Sequence, residues 1–98
     1  MSLPRKDPSE TVYISFDFSN VASSITSPVI SVTTSSGTAD TNPSAILSGV
    51  PSITGAVVSQ LVTGGVAGTN YLIKCSATSG AQTFVDATIL PVDYVQPM

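Results

Sequence analysis

The side chains that could carry out chemistry in this sequence are few, and histidine is not among them. Without histidine, every Ser–His, Cys–His and histidine–metal arrangement is excluded. Cys75 could act as a nucleophile only if a nearby cation or a helix N-terminus lowered its pKa. Lys74 is the candidate cation, but adjacent residues of a strand point to opposite faces. We therefore expect Cys75 to be a buried structural thiol.

Six carboxylates remain as candidates for acid–base or metal chemistry: Asp7, Glu10, Asp17, Asp40, Asp86 and Asp93. Spacing alone does not rule out a glycosidase-like pair among them. However, Asp17 and Asp86 are expected on outward strand faces and Asp40 in a turn, where solvated surface carboxylates are the rule. No Asp-x-Asp-x-Asp run offers converging calcium ligands, so calcium at an inter-domain hinge is the one metal alternative left open. We predict no catalytic residue, no cofactor and no metal ligand.

Glycines are predicted to form two turns and no phosphate-binding loop. The segment Gly64-Gly65-Val66-Ala67-Gly68 lacks the Gly-Lys-Ser/Thr ending of such a loop and leads into a strand, not a helix. Farther along, Ser79-Gly80 is a pair typical of a two-residue β-hairpin. The structural residues that we single out are Gly64, Gly65, Gly68, Tyr71, Gly80, Phe16 and Phe18.

The composition is that of a single β domain. Only 9% of the 98 residues are charged, against about 25% in typical proteins. Serine and threonine supply the polarity, and the many Thr, Val and Ile residues favour strands. The net charge of −3 and the scarcity of cations argue against nucleic-acid binding. No apolar run suggests a signal peptide or a membrane span, and the single cysteine favours a reducing, intracellular origin.

Alternation of apolar and polar side chains predicts the strands. Over residues 11–18, Val12, Ile14, Phe16 and Phe18 share one face. Over residues 71–77, the shared face holds Tyr71, Ile73, Cys75 and Ala77. Further strands are predicted at 29–33, 45–47, 53–62 and 83–92. Six or seven short strands without a helix indicate an all-β, immunoglobulin-like antiparallel β-sandwich of about seven strands. We expect the domain at residues 11–93, a flexible arm at 1–10 and a tail at 94–98.

Tyr71 directly follows Gly68-Thr69-Asn70 and begins an alternating strand. Many immunoglobulin-like sandwiches place a tyrosine there, whose hydroxyl bonds to backbone a few residues upstream in a tyrosine corner. The alternative is an ordinary core tyrosine at the start of a strand. Neither interpretation is catalytic.

Three segments resemble those of a family of small bacteriophage and prophage tail proteins with an immunoglobulin-like fold, described as tail-fibre adaptors. They are Lys6-Asp7-Pro8 with the strand at 12–19, the Gly-Gly to Tyr segment at 61–71, and the hairpin Ala77-Thr78-Ser79-Gly80 with Gln82. Family members commonly have tryptophan near the end of the first strand, where this chain has Phe18. A large aromatic side chain at that position keeps its role in the core.

The resemblance implies a structural virion component without catalytic residues. Its implied partners are other phage or prophage tail proteins and further copies of itself in a homo-oligomer. Its implied location is the virion tail, or the bacterial cytoplasm when a prophage encodes it. A hydroxyl-rich, charge-poor surface and free sheet edges suit such contacts. The alternative is an adhesin- or carbohydrate-binding module, for which Tyr13 and Tyr94 are the plausible stacking platforms.

Overall fold

The computed structural model of the chain describes residues 5–94. Its strands are β1 (Thr11–Asp17), β2 (Thr26–Gly37), β3 (Leu47–Thr54), β4 (Val57–Thr63), β5 (Thr69–Ser79) and β6 (Gln82–Val92), with one 3-10 turn at Pro43–Ile46. They form two three-stranded antiparallel sheets: sheet 1 in the order β1-β4-β3, and sheet 2 in the order β2-β5-β6. No helix within the described range is long and apolar enough to cross a membrane. The all-β antiparallel sandwich is confirmed, whereas the immunoglobulin-like topology stays a prediction.

The core lies between the two sheets and is built from every second side chain. Buried residues of sheet 1 and sheet 2 form one apolar cluster: Ile14, Phe16, Val58 and Val62 from sheet 1, and Val32, Tyr71, Ile73, Cys75, Ala77, Leu90 and Val92 from sheet 2. Full burial of one large apolar side chain stabilises a fold by about 1.5–3 kcal/mol. The shared inward faces predicted for β1 and β5 are confirmed, and with them the buried position of Cys75.

Strand β2 is longer than the predicted 29–33. It begins before Pro28, because this proline lies within the strand and does not interrupt it. The strand begins at Thr26 and passes through Pro28, and its register against β5 shifts between Thr26 and Val29. Ser27 has a φ of 52°, which accommodates the irregularity. Since β2 is an edge strand, Pro28 does not interrupt a second hydrogen-bond ladder.

The predicted strands at 45–47 and 53–62 are wrong in their bounds. Residues up to Ile46 form the 3-10 turn, with Pro43 in its first positions. Strand β3 then runs through Gly49 and Pro51, and a two-residue turn, whose closing pair is Thr54 and Val57, separates it from β4. Strand β3 is an edge strand of sheet 1, so it tolerates a register shift between Ser48 and Ser52.

The buried amide of Gln60 supports this irregular part of β3. Its Nε2 donates to the carbonyl oxygens of Ser48 at 3.2 Å and Gly49 at 3.3 Å, and also to that of Leu61 at 2.9 Å. A buried amide without partners would cost about 1–3 kcal/mol, so these contacts are what make Gln60 tolerable in the core. Sequence reasoning missed this role.

Within the segment expected to be a flexible arm, Lys6 is held against the end of β6. Its backbone N–H donates to the Pro91 oxygen at 2.9 Å, and its carbonyl accepts from the Asp93 N–H at 3.0 Å. The domain boundaries placed after residues 10 and 93 stay predictions. Residues 1–4 of the arm and 95–98 of the tail lie outside the described residues.

We expect Gly37→Ala to destabilise the domain far more than Gly49→Ala. Both glycines have positive φ, 83° and 73°, which costs an alanine about 1–2 kcal/mol. Only at Gly37 would the added Cβ collide with backbone, the carbonyl oxygen of Gly68. Its substitution should therefore cost about 2–5 kcal/mol in all. Urea unfolding of both variants measures the difference, and equal losses would show that the close approach is unimportant.

Candidate functional site

Tyr71 organises one end of the sandwich through its hydroxyl group. The side chain is fully buried at the start of β5. Its hydroxyl accepts a hydrogen bond from the Val66 N–H at 2.8 Å and donates one to Asp40 Oδ2 at 2.7 Å. Asp40 Oδ1 also accepts from the Asn42 N–H at 2.9 Å. The bond to Val66 has the geometry of a tyrosine corner, and the bond to Asp40 extends it to the loop after β2.

The pKa values of this pair move in opposite directions. Burial raises the pKa of Tyr71, and its hydrogen bond to Asp40 raises it further. The same hydrogen bond is the main cause that lowers the pKa of Asp40, followed by the Asn42 N–H. At neutral pH, therefore, Tyr71 remains protonated and Asp40 remains ionised. The bond between them is charge-assisted, which makes it stronger than a bond between neutral groups.

Gly68 connects the ends of three strands beside this corner. Its N–H donates to the Val92 oxygen at 2.8 Å, and its carbonyl accepts from the Thr38 N–H at 3.0 Å. Thr69 Oγ1 donates to the Thr38 oxygen at 2.7 Å and reinforces the same junction. Gly65 packs so closely that a Cβ on it would lie 3.1 Å from Val92 Cγ1. The glycine-rich turn thus joins β5 to the ends of β2 and β6.

Lys6 ties the N-terminal segment to the same turn. The residue is only 3% exposed, and its Nζ donates to the carbonyl oxygens of Gly64 at 2.7 Å and Asp7 at 2.9 Å. Burial lowers the pKa of this amine, while the negative charges of Glu10 and Asp7 oppose the shift. Sequence reasoning treated Lys6 as part of a solvated arm. One sequence feature did point to a role for Lys6: it belongs to the Lys6-Asp7-Pro8 segment, which resembles that of the phage tail proteins.

The structure brings four of the singled-out residues together and places three elsewhere. Gly64, Gly65, Gly68 and Tyr71 form the corner just described. Gly80 lies in the β5–β6 hairpin, at the opposite end of β5, where Ser79 pairs with Gln82. Phe16 and Phe18 are buried in the core. Phe18 is also held by its N–H, which donates to the Ala56 oxygen at 2.8 Å.

The groups considered for catalysis are a buried thiol and several carboxylates, of which Asp17 and Asp86 line one pocket. Cys75 is fully buried, and burial, with a smaller effect from the charge of Asp86, raises its pKa to about 11. Asp17 is exposed on an outward face, as expected, whereas the expectation is wrong for Asp86, which is exposed but lies on the inward face of β6, opposite Cys75. Among residues 5–94, no three His, Cys, Asp or Glu side chains lie close enough together to hold a metal ion. At neutral pH, Cys75 is therefore a neutral thiol without access to solvent.

The outer face of sheet 1 is rich in hydroxyl groups and poor in charge. On β1 and β4 it consists of Thr11, Tyr13, Ser15 and Asp17, paired with Thr63, Leu61, Ser59 and Val57. Thr11 Oγ1 and Thr63 Oγ1 lie 3.0 Å apart. Tyr13 is 71% exposed at the centre of this face. Asp17, at its end, is the one charged residue of these eight.

The outer face of sheet 2 is more apolar. Val29 and Val85 flank Ser76 in one cross-strand row and are 62% and 65% exposed. Leu72 pairs with Ile89 in another row, and both are partly exposed. Lys74 is the one charged residue that β5 places on this face. Lys74 lies between these two rows, so a partner that covers both would also cover this one cation.

A groove of about 410 Å³ runs beside β1. It is lined by Arg5, Lys6, Glu10, Val12, Tyr13, Ile14, Ser15 and Leu90. Of the two tyrosines proposed above as sugar platforms, Tyr13 lines the groove and Tyr94 does not. Tyr94 is nevertheless 62% exposed. The groove therefore follows the edge of one strand and is not framed by a pair of aromatic rings.

Comparison with models of protein families gives a match over most of the chain. The family model described as podophage GP4 fiber-tail adaptor protein gp77 matches residues 6–91 of this chain. No curated protein and no solved structure matches this chain. The matched range contains the Lys6-Asp7-Pro8 segment, the glycine-rich turn and the hairpin at Gly80. The resemblance to phage tail adaptors is thereby confirmed.

Replacing Tyr71 with phenylalanine should lower the free energy of unfolding by about 1–3 kcal/mol, because the Val66 N–H and Asp40 both lose a partner. Tyr13→Phe removes the same atom from an exposed ring and should change stability by no more than about 0.5 kcal/mol. Urea unfolding followed by circular dichroism measures both. Equal effects would contradict the role given to the corner.

The stability difference between the wild type and Tyr71→Phe should shrink as the pH falls from about 7 to about 2. The pKa of Asp40 is lower in the folded state than in the unfolded state. Its stabilising contribution is therefore complete above the unfolded pKa, about 3.9, and is lost as the pH falls through the folded pKa. Urea titrations at a series of pH values test this. A difference that stays constant would exclude the charge-assisted bond.

Proposed function

Because this chain belongs to the podophage GP4 fiber-tail adaptor family, we propose that it is a non-catalytic connector of the phage tail that acts through protein–protein contacts. The observation that carries the proposal is the family match across residues 6–91, which spans both sheets and the corner around Tyr71. The alternative function, a carbohydrate-binding module, has no comparable support.

The proposed partners follow from the words of the family description. They are a tail protein and a tail fibre of the same phage, which the adaptor would join. On this proposal the chain resides in the assembled virion, in several copies that also contact one another. A connector repeated around a tail needs surfaces that bind without a bound cofactor.

The character of the two outer faces supports such contacts. Burying a charge without a partner is costly, whereas a hydroxyl group keeps a hydrogen bond more easily and costs less. The outer face of sheet 1 contributes hydroxyl groups around Tyr13, and the outer face of sheet 2 contributes exposed Val29 and Val85. Interface cores are likewise depleted of charge and enriched in tyrosine.

The rigid corner supports the same role in a different way. Tyr71, Gly68 and Lys6 hold the loop after β2, the glycine-rich turn and the N-terminal segment to the body of the domain. A surface that is already ordered loses less conformational entropy when it binds. We infer that the domain binds largely as a preformed body.

The purified chain should form a complex with another tail protein or with the tail fibre of the same phage. Size-exclusion chromatography with light scattering of the chain alone and of each mixture measures this, with a capsid protein of that phage as the matched control. Because the interface is proposed to be charge-poor, raising the salt from about 0.05 to about 0.5 M should change Kd by less than about threefold.

A chain that binds neither tail protein would overturn the proposed function. Binding that disappears at the higher salt concentration would instead contradict the charge-poor interface, because ionic contacts would then dominate the affinity.

A further inference from the structure

The two sheets have four edge strands, and three of them carry features that hinder the addition of another strand. Strand β3 has a register shift between Ser48 and Ser52, which encloses Gly49 and Pro51. Gly49 has a φ of 73°, so the backbone leaves the extended conformation there. Bulges and prolines of this kind are how proteins protect sheet edges from unwanted pairing.

The edges of sheet 2 are protected as well. Strand β2 has two register shifts, and Pro28 lies within the first of them. On β6, the backbone of Lys6 already occupies the edge between Pro91 and Asp93. Farther along β6, Asp86 Oδ1 accepts a hydrogen bond from the Ala87 N–H at 2.9 Å. An incoming strand would have to displace this carboxylate.

Within residues 5–94, strand β1 has none of these protections. Its seven residues pair with β4 without a register shift, from Thr11 opposite Thr63 to Asp17 opposite Val57. The strand contains no proline and no glycine, and its one charged residue is Asp17, at the end. A regular and uncharged edge of this kind is a template for strand pairing.

The hydrogen-bond alternation of β1 shows which groups face outward. The N–H of Phe18 donates to Ala56 and continues the register of β1 against β4. Alternate residues therefore direct their N–H and C=O groups to β4, and the residues between them direct theirs to the free edge. Tyr13 and Ser15 are such edge-facing residues.

The groove beside β1 lies along this free edge. Val12 and Ile14 of β1 and Leu90 of β6 supply its apolar lining, and its charged lining residues are Arg5, Lys6 and Glu10. Backbone donors and acceptors repeating every second residue are matched by an extended chain. The apolar side then receives alternate side chains of that segment, and a carboxylate near Arg5 completes the match.

We propose that the free edge of β1 accepts an extended segment of another tail protein as an additional strand of sheet 1. The segment has apolar side chains at alternate positions, no proline where its N–H groups must pair, and an acidic residue near Arg5. The inference rests on the proposed function and names the site through which it operates. The choice of another tail protein over a second copy of this chain also rests on that function, because antiparallel pairing of two β1 edges about Ile14 would place Thr11 opposite Asp17 and bring no like charges together.

The substitution Ser15→Pro tests this proposal. It removes an edge-facing N–H and adds a ring at the free edge, while the bonds from β1 to β4 are made by neighbouring residues. Ser15→Ala keeps the N–H but loses the hydroxyl, which lies 3.4 Å from Ser59 Oγ. We expect Ser15→Pro to weaken binding to the tail protein at least about tenfold, and Ser15→Ala to stay within about threefold of the wild type.

Amide hydrogen exchange of the wild-type complex gives a second measurement, which does not depend on the folding of the proline variant. Exchange at Tyr13 and Ser15 should slow on binding, because their N–H groups would then pair with the added strand. If the tail protein binds but neither effect appears, strand addition at β1 is overturned and the proposed function stands.

If neither tail protein binds, the proposed function and the strand addition are both overturned. If the chain alone forms dimers that Ser15→Pro abolishes, the added strand comes from a second copy, and our assignment to another tail protein is wrong.

Discussion

The hydroxyl group of Tyr71 is the contact on which the end of the sandwich depends. A hydroxyl buried this deeply must be paired, and it has partners on both sides: the Val66 N–H and the Asp40 carboxylate. These bonds fix the glycine-rich turn against the loop after β2. The Nζ of Lys6 then bonds to the Gly64 oxygen of the same turn. The N-terminal segment, β2 and the β4–β5 connection are therefore held at one junction, which determines where β1 begins.

The surfaces of this domain carry little charge, so charge does little to restrict what they contact. The sheet edges, and the position of β1 among them, therefore matter more. Three sheet edges are irregular or covered, whereas β1 is regular and bordered by a groove. Protection of some edges alongside an unprotected one is what a domain needs if it joins specific neighbours without aggregating. The regular pairing of β1 thus leaves one well-defined strand edge available, which agrees with a connector in a phage tail.

Much of this architecture could be predicted from the sequence, because alternation determines which side chains are buried. The inward faces of β1 and β5 and the hairpin at Gly80 followed from local patterns alone. The bounds of β2 and β3 did not, because a proline is tolerated in an edge strand and the sequence does not reveal strand order. Lys6 and Gln60 could not be interpreted either, since their acceptors are backbone carbonyls that only the folded chain brings near.

An electron cryomicroscopy reconstruction of the phage tail would test the central claim most directly, since it shows both the location of the chain and what covers it. The account predicts copies of this domain between the tail and its fibres, with an extended segment of a neighbouring protein lying against Tyr13 and Ser15 of β1. A tail in which the domain is absent, or in which the edge of β1 faces open solvent in every copy, would contradict it.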